Sequence, residues 1–186
     1  MEGVIRFRHV VPQSKMVAFW LSPTASAREY FLTVIKELAQ RYSAPVFEPH
    51  VTLCGGNLAE ERAVEILSDL CIREPIELEI TGIQYSEKYT KTLFVQFGSS
   101  PRLEALAAEI EKAAASEHSL NPHLSLIYKE MPRTQKAEAA RAITLPFERV
   151  TFDSVTAIMT PHPITTSEHV EAWRMLGARR LDSASE

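Results

Sequence analysis

One order of predicted elements occurs twice along this sequence, and this repeat constrains the fold more than any other feature. Hydrophobic periodicity in the first half predicts a strand, a helix, a strand, a helix and a strand, at Val17–Leu21, Ala25–Tyr42, Phe47–Leu53, Leu58–Leu70 and Ile76–Tyr85. The second half predicts the same order, at Thr92–Phe97, Arg102–Ala115, His123–Tyr128, Thr134–Ala142 and Phe147–Met159. Each element of the second series follows its equivalent in the first by about the same distance, 73 residues. This is also the separation of His50 from His123.

A repeat of only two copies predicts a closed pair of halves related by a pseudo-twofold axis, because a solenoid needs more units. The mixture of strands and helices indicates an α+β fold, in which largely antiparallel sheets carry the helices on their outer faces. The chain ends with a predicted strand, or less favourably a short helix, over Glu171–Arg180.

The length of the chain allows one domain. Its 186 residues are enough for one full hydrophobic core and too few for two ordinary domains. Residues 16–181 are expected to form this single domain. Residues 1–15 are expected to be an N-terminal extension of unknown role, and residues 182–186 a flexible tail of mostly small and polar side chains.

The balance of charge argues against a partner that carries many phosphates. Lys and Arg number 20 and Asp and Glu number 24, which gives a formal net charge of −4. Long nucleic acid is bound mostly by neutralising many phosphates, so an acidic chain is a poor candidate for binding it. A small substrate with one or two phosphates remains compatible, because a local pocket can be positive on an acidic protein.

The cysteines and the apolar segments predict a cytoplasmic protein without a membrane segment. Cys54 and Cys71 are too few for a disulfide framework or a four-ligand zinc site, so two reduced thiols are expected. No apolar run approaches the roughly eighteen residues that cross a membrane, and the N-terminus shows no apolar core of a signal peptide.

Two five-residue segments at equivalent places in the repeat share one pattern of residue types. They are PHVTL at 49–53 and PHLSL at 122–126, each on a predicted strand. Side chains alternate between the two faces of a strand, so the histidine and the hydroxyl residue of each segment share one face. If the pseudo-twofold axis relates the two halves, these polar faces can meet across a cleft.

His50 and His123 suit acid–base chemistry near neutral pH, because imidazole titrates at about 6.5. One histidine in its neutral form can accept a proton from water while the other, protonated, donates a proton to a departing oxygen. Thr52 and Ser125 can donate hydrogen bonds to the non-bridging oxygens of a phosphate, where negative charge increases. The four side chains therefore suit the opening of a small cyclic phosphate ester, and this scheme requires no metal.

A single segment of this kind would mean little, because short patterns occur by chance and a lone histidine on a strand is usually structural. Two such segments, each after a proline and at the same place in a repeat, favour a functional role. The other histidines lack metal-ligand spacing, and Gly55-Gly56 lacks the lysine and helix start that a phosphate-binding loop needs.

The paired segments resemble the signature of the two-histidine (2H) phosphoesterases, and the chain looks most like their cyclic phosphodiesterase branch. The resemblance runs from about Phe19 to Trp173 and is carried by FWL at 19–21, FEPHVTL at 47–53, PHLSLIY at 122–128 and EAW at 171–173. It implies one lobe that holds both termini, a second lobe from the middle of the chain, and no cofactor. Together with the repeat it predicts a bilobal pseudo-twofold duplication, with two largely antiparallel sheets around a central cleft and helices outside.

The resemblance also implies roles for individual residues. His50 and His123 would be catalytic, Thr52 and Ser125 would bind the phosphate, Tyr128 would bind substrate, and no residue would bind a metal. Strict alternation places Tyr128 on the strand face opposite His123, so its side chain reaches the site only if the strand bends or bulges.

The remaining candidates are expected to be structural or peripheral. Trp20 and Trp173 are favoured as core residues rather than cleft walls, because large aromatic side chains on strands are usually buried in the core. Tyr85 and Tyr89 flank a loop, and a plain surface loop is favoured over a role in stacking on a base. Alternation puts Cys54 on the cleft face.

The resemblance implies hydrolysis of nucleoside 2′,3′-cyclic phosphates and ADP-ribose 1″,2″-cyclic phosphate without a metal. The protein is expected to be a monomer. Processing of RNA ends that carry a 2′,3′-cyclic phosphate stays open as an alternative. So do a catalytically silent nucleotide-binding module and a metal hydrolase, although the sequence offers no ligand set for the latter. The patterns do not decide which histidine is the base or which ester bond breaks.

Overall fold

The computed structural model describes residues 14–116 and 119–182. The described part of the chain contains seven strands: β1 (Ser14–Pro23), β2 (Val51–Gly56), β3 (Ile76–Tyr85), β4 (Leu93–Phe97), β5 (His123–Ile127), β6 (Arg149–His162) and β7 (Arg174–Arg180). It also contains five α-helices and one 3₁₀ turn: α1 (Ala25–Tyr42), α2 (Glu60–Asp69), α3 (Pro101–Ala114), α4 (Arg133–Ala142), α5 (Ser167–Glu171) and the 3₁₀ turn Tyr89–Lys91.

All seven strands belong to one antiparallel sheet in the order β1-β2-β5-β4-β3-β6-β7, and β1 also pairs with β6. The predicted α+β class with antiparallel strands is confirmed. The two sheets expected from the sequence are joined into one. The part formed by β1, β2, β6 and β7 meets the part formed by β3, β4 and β5 where Val51 pairs with Leu124 and where Ile76–Glu79 pair with β6.

The predicted duplication is confirmed by where the elements lie. A shift of 73 residues carries α2 onto α4 at both of its ends. The same shift carries Val51 onto Leu124, the residue with which it pairs. A residue that pairs with its own equivalent must lie next to the symmetry axis, so the pseudo-twofold axis passes beside this pair.

The helices of each repeat cover strands of the other repeat. Helix α1 packs against β5 and α4 against β3, while α3 packs against β2 and α2 against β6 and β7. Helix α1 shows why such packing is stable, because Phe31, Ile35 and Leu38 fall on one face and are buried. The core lies between these helices and the sheet, which leaves the opposite face of the sheet for a cleft.

Several element boundaries differ from those expected. The strand predicted at Phe47–Leu53 begins only at Val51, so its histidine directly precedes β2. Helix α2 begins at Glu60, two residues after the start predicted at Leu58. Helix α5 lies just before the segment predicted at Glu171–Arg180, and the strand in that segment, β7, begins at Arg174.

The predicted extension and tail fall almost wholly outside the described residues. Ser14 and Lys15, the last two residues assigned to the extension, are the first two residues of β1. Residues 1–13 and 183–186 lie outside the described ranges. Within residues 14–116 and 119–182, no helix is long and apolar enough to cross a membrane.

Candidate active site

A β-bulge in β2 sets which side chains face the cleft. Thr52 pairs with Trp20 and Cys54 pairs with Phe19, which leaves Leu53 as the extra residue. The bulge interrupts the alternation, so Leu53 and Cys54 both point into the core and are fully buried. The expectation that Cys54 lines the cleft was therefore wrong, because alternation does not continue through a bulge.

The same bulge occurs at the equivalent place in β5. The residues on either side of Leu126, which are Ser125 and Ile127, pair with successive residues of β4. Leu126 and Ile127 both point into the core, and the next side chain, Tyr128, returns to the cleft face. The bulge thus supplies the change of direction that Tyr128 needs to reach the face of the histidines.

A cavity of about 540 Å³ lies on the cleft face of the sheet. Its walls include all five side chains predicted as site residues: His50, Thr52, His123, Ser125 and Tyr128. The structure thus brings together residues from both copies of the repeat beside the pseudo-twofold axis.

Both imidazoles are held by a backbone carbonyl two residues earlier in the chain. Nδ1 of His50 lies 2.6 Å from the carbonyl oxygen of Glu48, and Nδ1 of His123 lies 2.7 Å from that of Asn121. A carbonyl can only accept, so each Nδ1 carries the proton and donates it. In the neutral ring, Nε2 is left as the proton acceptor.

His50 is buried in an aromatic corner. Its ring stacks on the indole of Trp20, with ring centroids 3.7 Å apart and planes 11° apart, and meets Trp173 edge-on at 5.9 Å. Burial lowers its pKa to about 4, which the bond to Glu48 opposes and the charge of His123 reinforces. His50 is therefore neutral at pH 7.

His123 occupies a more open place than His50 and has a different aromatic neighbour. The ring of Phe94 meets its imidazole edge-on, at a centroid distance of 5.4 Å and an angle of 72°. Phe94 pairs with Ser125 in the second repeat, and Trp20 pairs with Thr52 in the first. Phe94 is therefore the structural equivalent of Trp20. The repeat thus gives its two histidines unequal surroundings.

Each hydroxyl residue lies next to the histidine of the other repeat. Val51 pairs with Leu124, and the antiparallel register on either side of this pair brings His50 beside Ser125 and Thr52 beside His123. The two hydroxyls differ in one respect. Ser125 Oγ donates a hydrogen bond of 2.8 Å to the carbonyl oxygen of Thr90, in the loop between β3 and β4.

With this geometry established, comparison with known proteins decides the family. The family model described as the 2′-5′ RNA ligase superfamily matches residues 22–160. The chain belongs to this superfamily. The resemblance to two-histidine phosphoesterases is thereby confirmed.

One curated relative of this chain is a 2′,3′-cyclic-nucleotide 3′-phosphodiesterase from Kluyveromyces lactis. It is 28% identical over 138 residues, which cover 62% of this chain and 65% of the relative. The chain thus spans just under two thirds of the length of that protein.

Solved structures share the fold of this superfamily member. Apo LigT from E. coli matches with a TM-score of 0.59 and 18% identity, over 92% of this chain and 100% of that chain. LigT in complex with 3′-AMP matches with a TM-score of 0.56 and 18% identity, over 91% and 99% of the two chains.

Tyr128 closes one side of the site in this superfamily member. Its ring stacks on Phe47, with centroids 4.1 Å apart and planes 14° apart, and meets Trp173 edge-on at 6.0 Å. Burial raises the pKa of the Tyr128 hydroxyl, an effect that a hydrogen bond with Ser125 opposes. The hydroxyl therefore keeps its proton at pH 7 and can donate it to an anion.

Sequence reasoning missed several residues of the cavity wall. Trp20 and Trp173 were expected in the core, and Trp20 is indeed buried, but both line the cavity. The indole Nε1 of Trp173 is buried and makes no hydrogen bond with the residues that the structure describes. The FWL and EAW segments were a usable signal for both tryptophans, because the family resemblance already included them.

The cavity wall carries two lysines although the chain is acidic overall. Lys88 and Lys91 line it, and no Asp or Glu is among its lining residues. The loop from Ser86 to Thr92, expected to be a plain surface loop, provides both lysines. Across residues 14–116 and 119–182, no group of three or more His, Cys, Asp or Glu side chains is placed to hold a metal ion.

Proposed function

We propose that the chain hydrolyses small cyclic phosphate esters by acid–base catalysis with two histidines. The observation that carries the proposal is the matched pair of imidazoles beside the pseudo-twofold axis. Each is fixed through Nδ1 by a carbonyl, each leaves Nε2 for proton transfer, and each has a hydroxyl of the other repeat beside it.

His50 is proposed as the base and His123 as the acid. Because the pKa of His50 is about 4, this ring is neutral at pH 7 and its Nε2 can accept a proton from water. The water oxygen forms a new bond to phosphorus while one P–O bond of the ring breaks. Protonated His123 donates its Nε2 proton to the departing oxygen, and exchange with solvent then restores both rings.

Hydroxyl donors are proposed to stabilise the charge that builds up on the phosphate. Thr52, Ser125 and Tyr128 can each donate to a non-bridging oxygen in the cavity. Ser125 must first give up its hydrogen bond to the carbonyl of Thr90. Binding of the phosphate by Ser125, beside His50, therefore requires a hydrogen bond to be broken. No such bond to Thr90 has to be broken for Thr52, beside His123.

The proposed substrates are nucleoside 2′,3′-cyclic phosphates and ADP-ribose 1″,2″-cyclic phosphate. A cavity of about 540 Å³ is within the usual range for a ligand of nucleotide size. The name of the Kluyveromyces lactis relative and the complex of LigT with 3′-AMP support a nucleotide phosphate in such a site. Monomeric state and a cytoplasmic location remain predictions from the sequence.

Steady-state hydrolysis of both substrates, with a chelator present, tests the proposal. We expect turnover by the native chain, and loss of about a hundredfold or more in kcat for His50→Ala and for His123→Ala. His169→Ala is the matched control, since this histidine lies on α5 and does not line the cavity.

The other outcomes separate the alternatives. Turnover that the chelator abolishes would indicate a metal hydrolase. Turnover only on an oligoribonucleotide that ends in a 2′,3′-cyclic phosphate would assign the site to RNA ends. Binding of a nucleotide without turnover on any of these substrates would leave a silent binding module and refute the proposed hydrolysis.

A further inference from the structure

The cavity wall carries more positive charge than the binding of a single cyclic phosphate requires, because it contains two lysines. A cyclic phosphodiester carries one negative charge, and the protonated acid and three hydroxyl donors already face it. Lys88 and Lys91 also line the cavity, and neither forms an ion pair with any residue in the described ranges. Their charges are therefore available to a ligand.

Lys91 lies near His123, the proposed acid, and both side chains contact the ring of Phe94. Its Nζ lies 4.3 Å from the centre of the Phe94 ring, and this ring meets the imidazole of His123 edge-on at 5.4 Å. Lys91 and His123 thus contact the same aromatic ring and line the same cavity. Lys91 is not among the residues proposed to act on the cyclic phosphate.

Lys88 and Lys91 are held close together although both are positive. The backbone N–H of Lys91 donates to the carbonyl oxygen of Lys88 at 3.0 Å, which closes the 3₁₀ turn. Burial lowers the pKa of Lys91, and the charge of Lys88 lowers it further. Two like charges held near each other in a partly buried turn favour the binding of an anion between them.

The turn that carries the lysines is braced on several sides. Ser86 Oγ donates to the carbonyl of Lys91 at 2.6 Å, and Ser125 Oγ donates to that of Thr90 at 2.8 Å. The buried ammonium of Lys136 donates to the carbonyl of Ser86 and pairs with Glu87, both at 2.8 Å. Glu87 thus pairs with Lys136 and not with its neighbour Lys88. The ordered turn reduces the entropy cost of binding.

We propose that Lys88 and Lys91 form a subsite for a second phosphate group, distinct from the cyclic phosphate that is hydrolysed. The proposal rests on the proposed function and narrows its substrate class to cyclic phosphates that carry a further phosphate. The second phosphate can come from a 5′-phosphate or diphosphate of a small nucleotide, or from the last phosphodiester of an RNA end.

A pair of substrates that differ by one phosphate tests the subsite. These are adenosine 2′,3′-cyclic phosphate and its 5′-phosphorylated form, and the quantity measured is the ratio of their kcat/KM values. We expect the native chain to prefer the 5′-phosphorylated substrate by on the order of tenfold, as for one charge-assisted hydrogen bond. Lys88→Gln and Lys91→Gln should each lower the ratio, and the double variant should bring it close to one.

Lys36→Gln is the matched control, because it removes the same charge from an exposed position on α1 and should leave the ratio unchanged. ADP-ribose 1″,2″-cyclic phosphate and a dinucleotide that ends in a 2′,3′-cyclic phosphate identify the source of the phosphate. For each of these two substrates we compare its kcat/KM with that of adenosine 2′,3′-cyclic phosphate. The substrate for which the double variant lowers this ratio carries the phosphate that the subsite binds. An unchanged ratio in the double variant, or no preference in the native chain, would overturn the subsite.

Equilibrium binding separates failure of the subsite from failure of the proposed function. Titration calorimetry with adenosine 2′-monophosphate and adenosine 2′,5′-bisphosphate requires no turnover. If the native chain binds the bisphosphate more tightly and Lys88→Gln and Lys91→Gln abolish this gain in affinity, the subsite is supported. This holds even if the chain hydrolyses none of the substrates. Equal affinity for the two nucleotides in the native chain would refute it even if hydrolysis is observed.

Discussion

The imidazole of His50 lies flat against the indole of Trp20, with ring centroids 3.7 Å apart and planes 11° apart. This contact removes water from one face of the ring, and the lowered pKa of His50 has burial as its largest cause. Trp20 therefore affects the protonation state of the proposed base without taking part in proton transfer.

The pH dependence of hydrolysis should show this effect. We expect kcat/KM to fall as the pH falls through about 4, because His50 then gains a proton and can no longer accept one. Trp20→Leu should admit water and move this acidic limb upward, towards the ordinary value of about 6.5. A profile measured from about pH 3.5 to 8 checks both, and an unmoved limb in Trp20→Leu would contradict the role of Trp20.

The tautomers of the histidines can be read directly by ¹⁵N NMR of the imidazole rings. Neutral His50 should carry its proton on Nδ1, because this atom donates to the carbonyl of Glu48. His169 is an internal control of opposite sign, since its Nδ1 accepts from the backbone N–H of Thr165 and its proton must lie on Nε2. Finding the same tautomer in both neutral rings would contradict the assignment.

The two hydroxyl residues should respond differently to removal. Thr52→Val should lower kcat on the order of a hundredfold, as for one donor to a developing oxyanion, with little change in the free energy of unfolding. Ser125→Ala should lower kcat and also cost about 1 kcal/mol of stability, because it removes the hydrogen bond to Thr90. Urea denaturation and steady-state kinetics separate the two effects. Equal stability of both variants would contradict the bracing role of Ser125.

Lys136 should stabilise the turn that carries the two cavity lysines. Its side chain is 2% exposed, and Lys136→Met would leave the carbonyl of Ser86 and the carboxylate of Glu87 without this partner. We expect a loss of about 1–3 kcal/mol in the free energy of unfolding. Lys36→Met, at an exposed position on α1, should stay within about 0.5 kcal/mol of the native chain.

Lys136→Met should also reduce the preference for the 5′-phosphorylated substrate, because the turn would lose its support. Urea denaturation and the ratio of kcat/KM values are the two measurements. A Lys136→Met chain as stable as Lys36→Met would show that the buried ammonium contributes nothing to the turn.

The fold, and the position of the candidate site residues on one face of the sheet, could be predicted because their signals are local. The alternation around His50 and around His123 is set by a few neighbouring residues, and so is the helical stripe that gave α1 its bounds. The bulges at Leu53 and Leu126 could not be found in this way. A bulge is a relation between two strands, and it appears only when the pairing partner is known.

The cavity lysines were missed for a different reason. Nothing periodic marks the loop that carries Lys88 and Lys91, and its place at the cleft depends on contacts with Ser125 and Lys136, which are distant in sequence. A pattern in one segment cannot reveal a position that tertiary contacts determine. Cys54 was misplaced for the same kind of reason, since pairing with β1 fixed its direction.

Because both repeats lie in one chain, their sequences differ, and so do the surroundings of the two histidines. A homodimer of half-length chains could build the same sheet, with α1 and α3 exchanged between subunits, but it would give both histidines identical neighbours at rest. One continuous chain places Trp20 where the other copy has Phe94, and Tyr128 where the other copy has Gly55. A single chain therefore allows the two imidazoles to differ, as the proposed roles of one in accepting a proton and the other in donating one require.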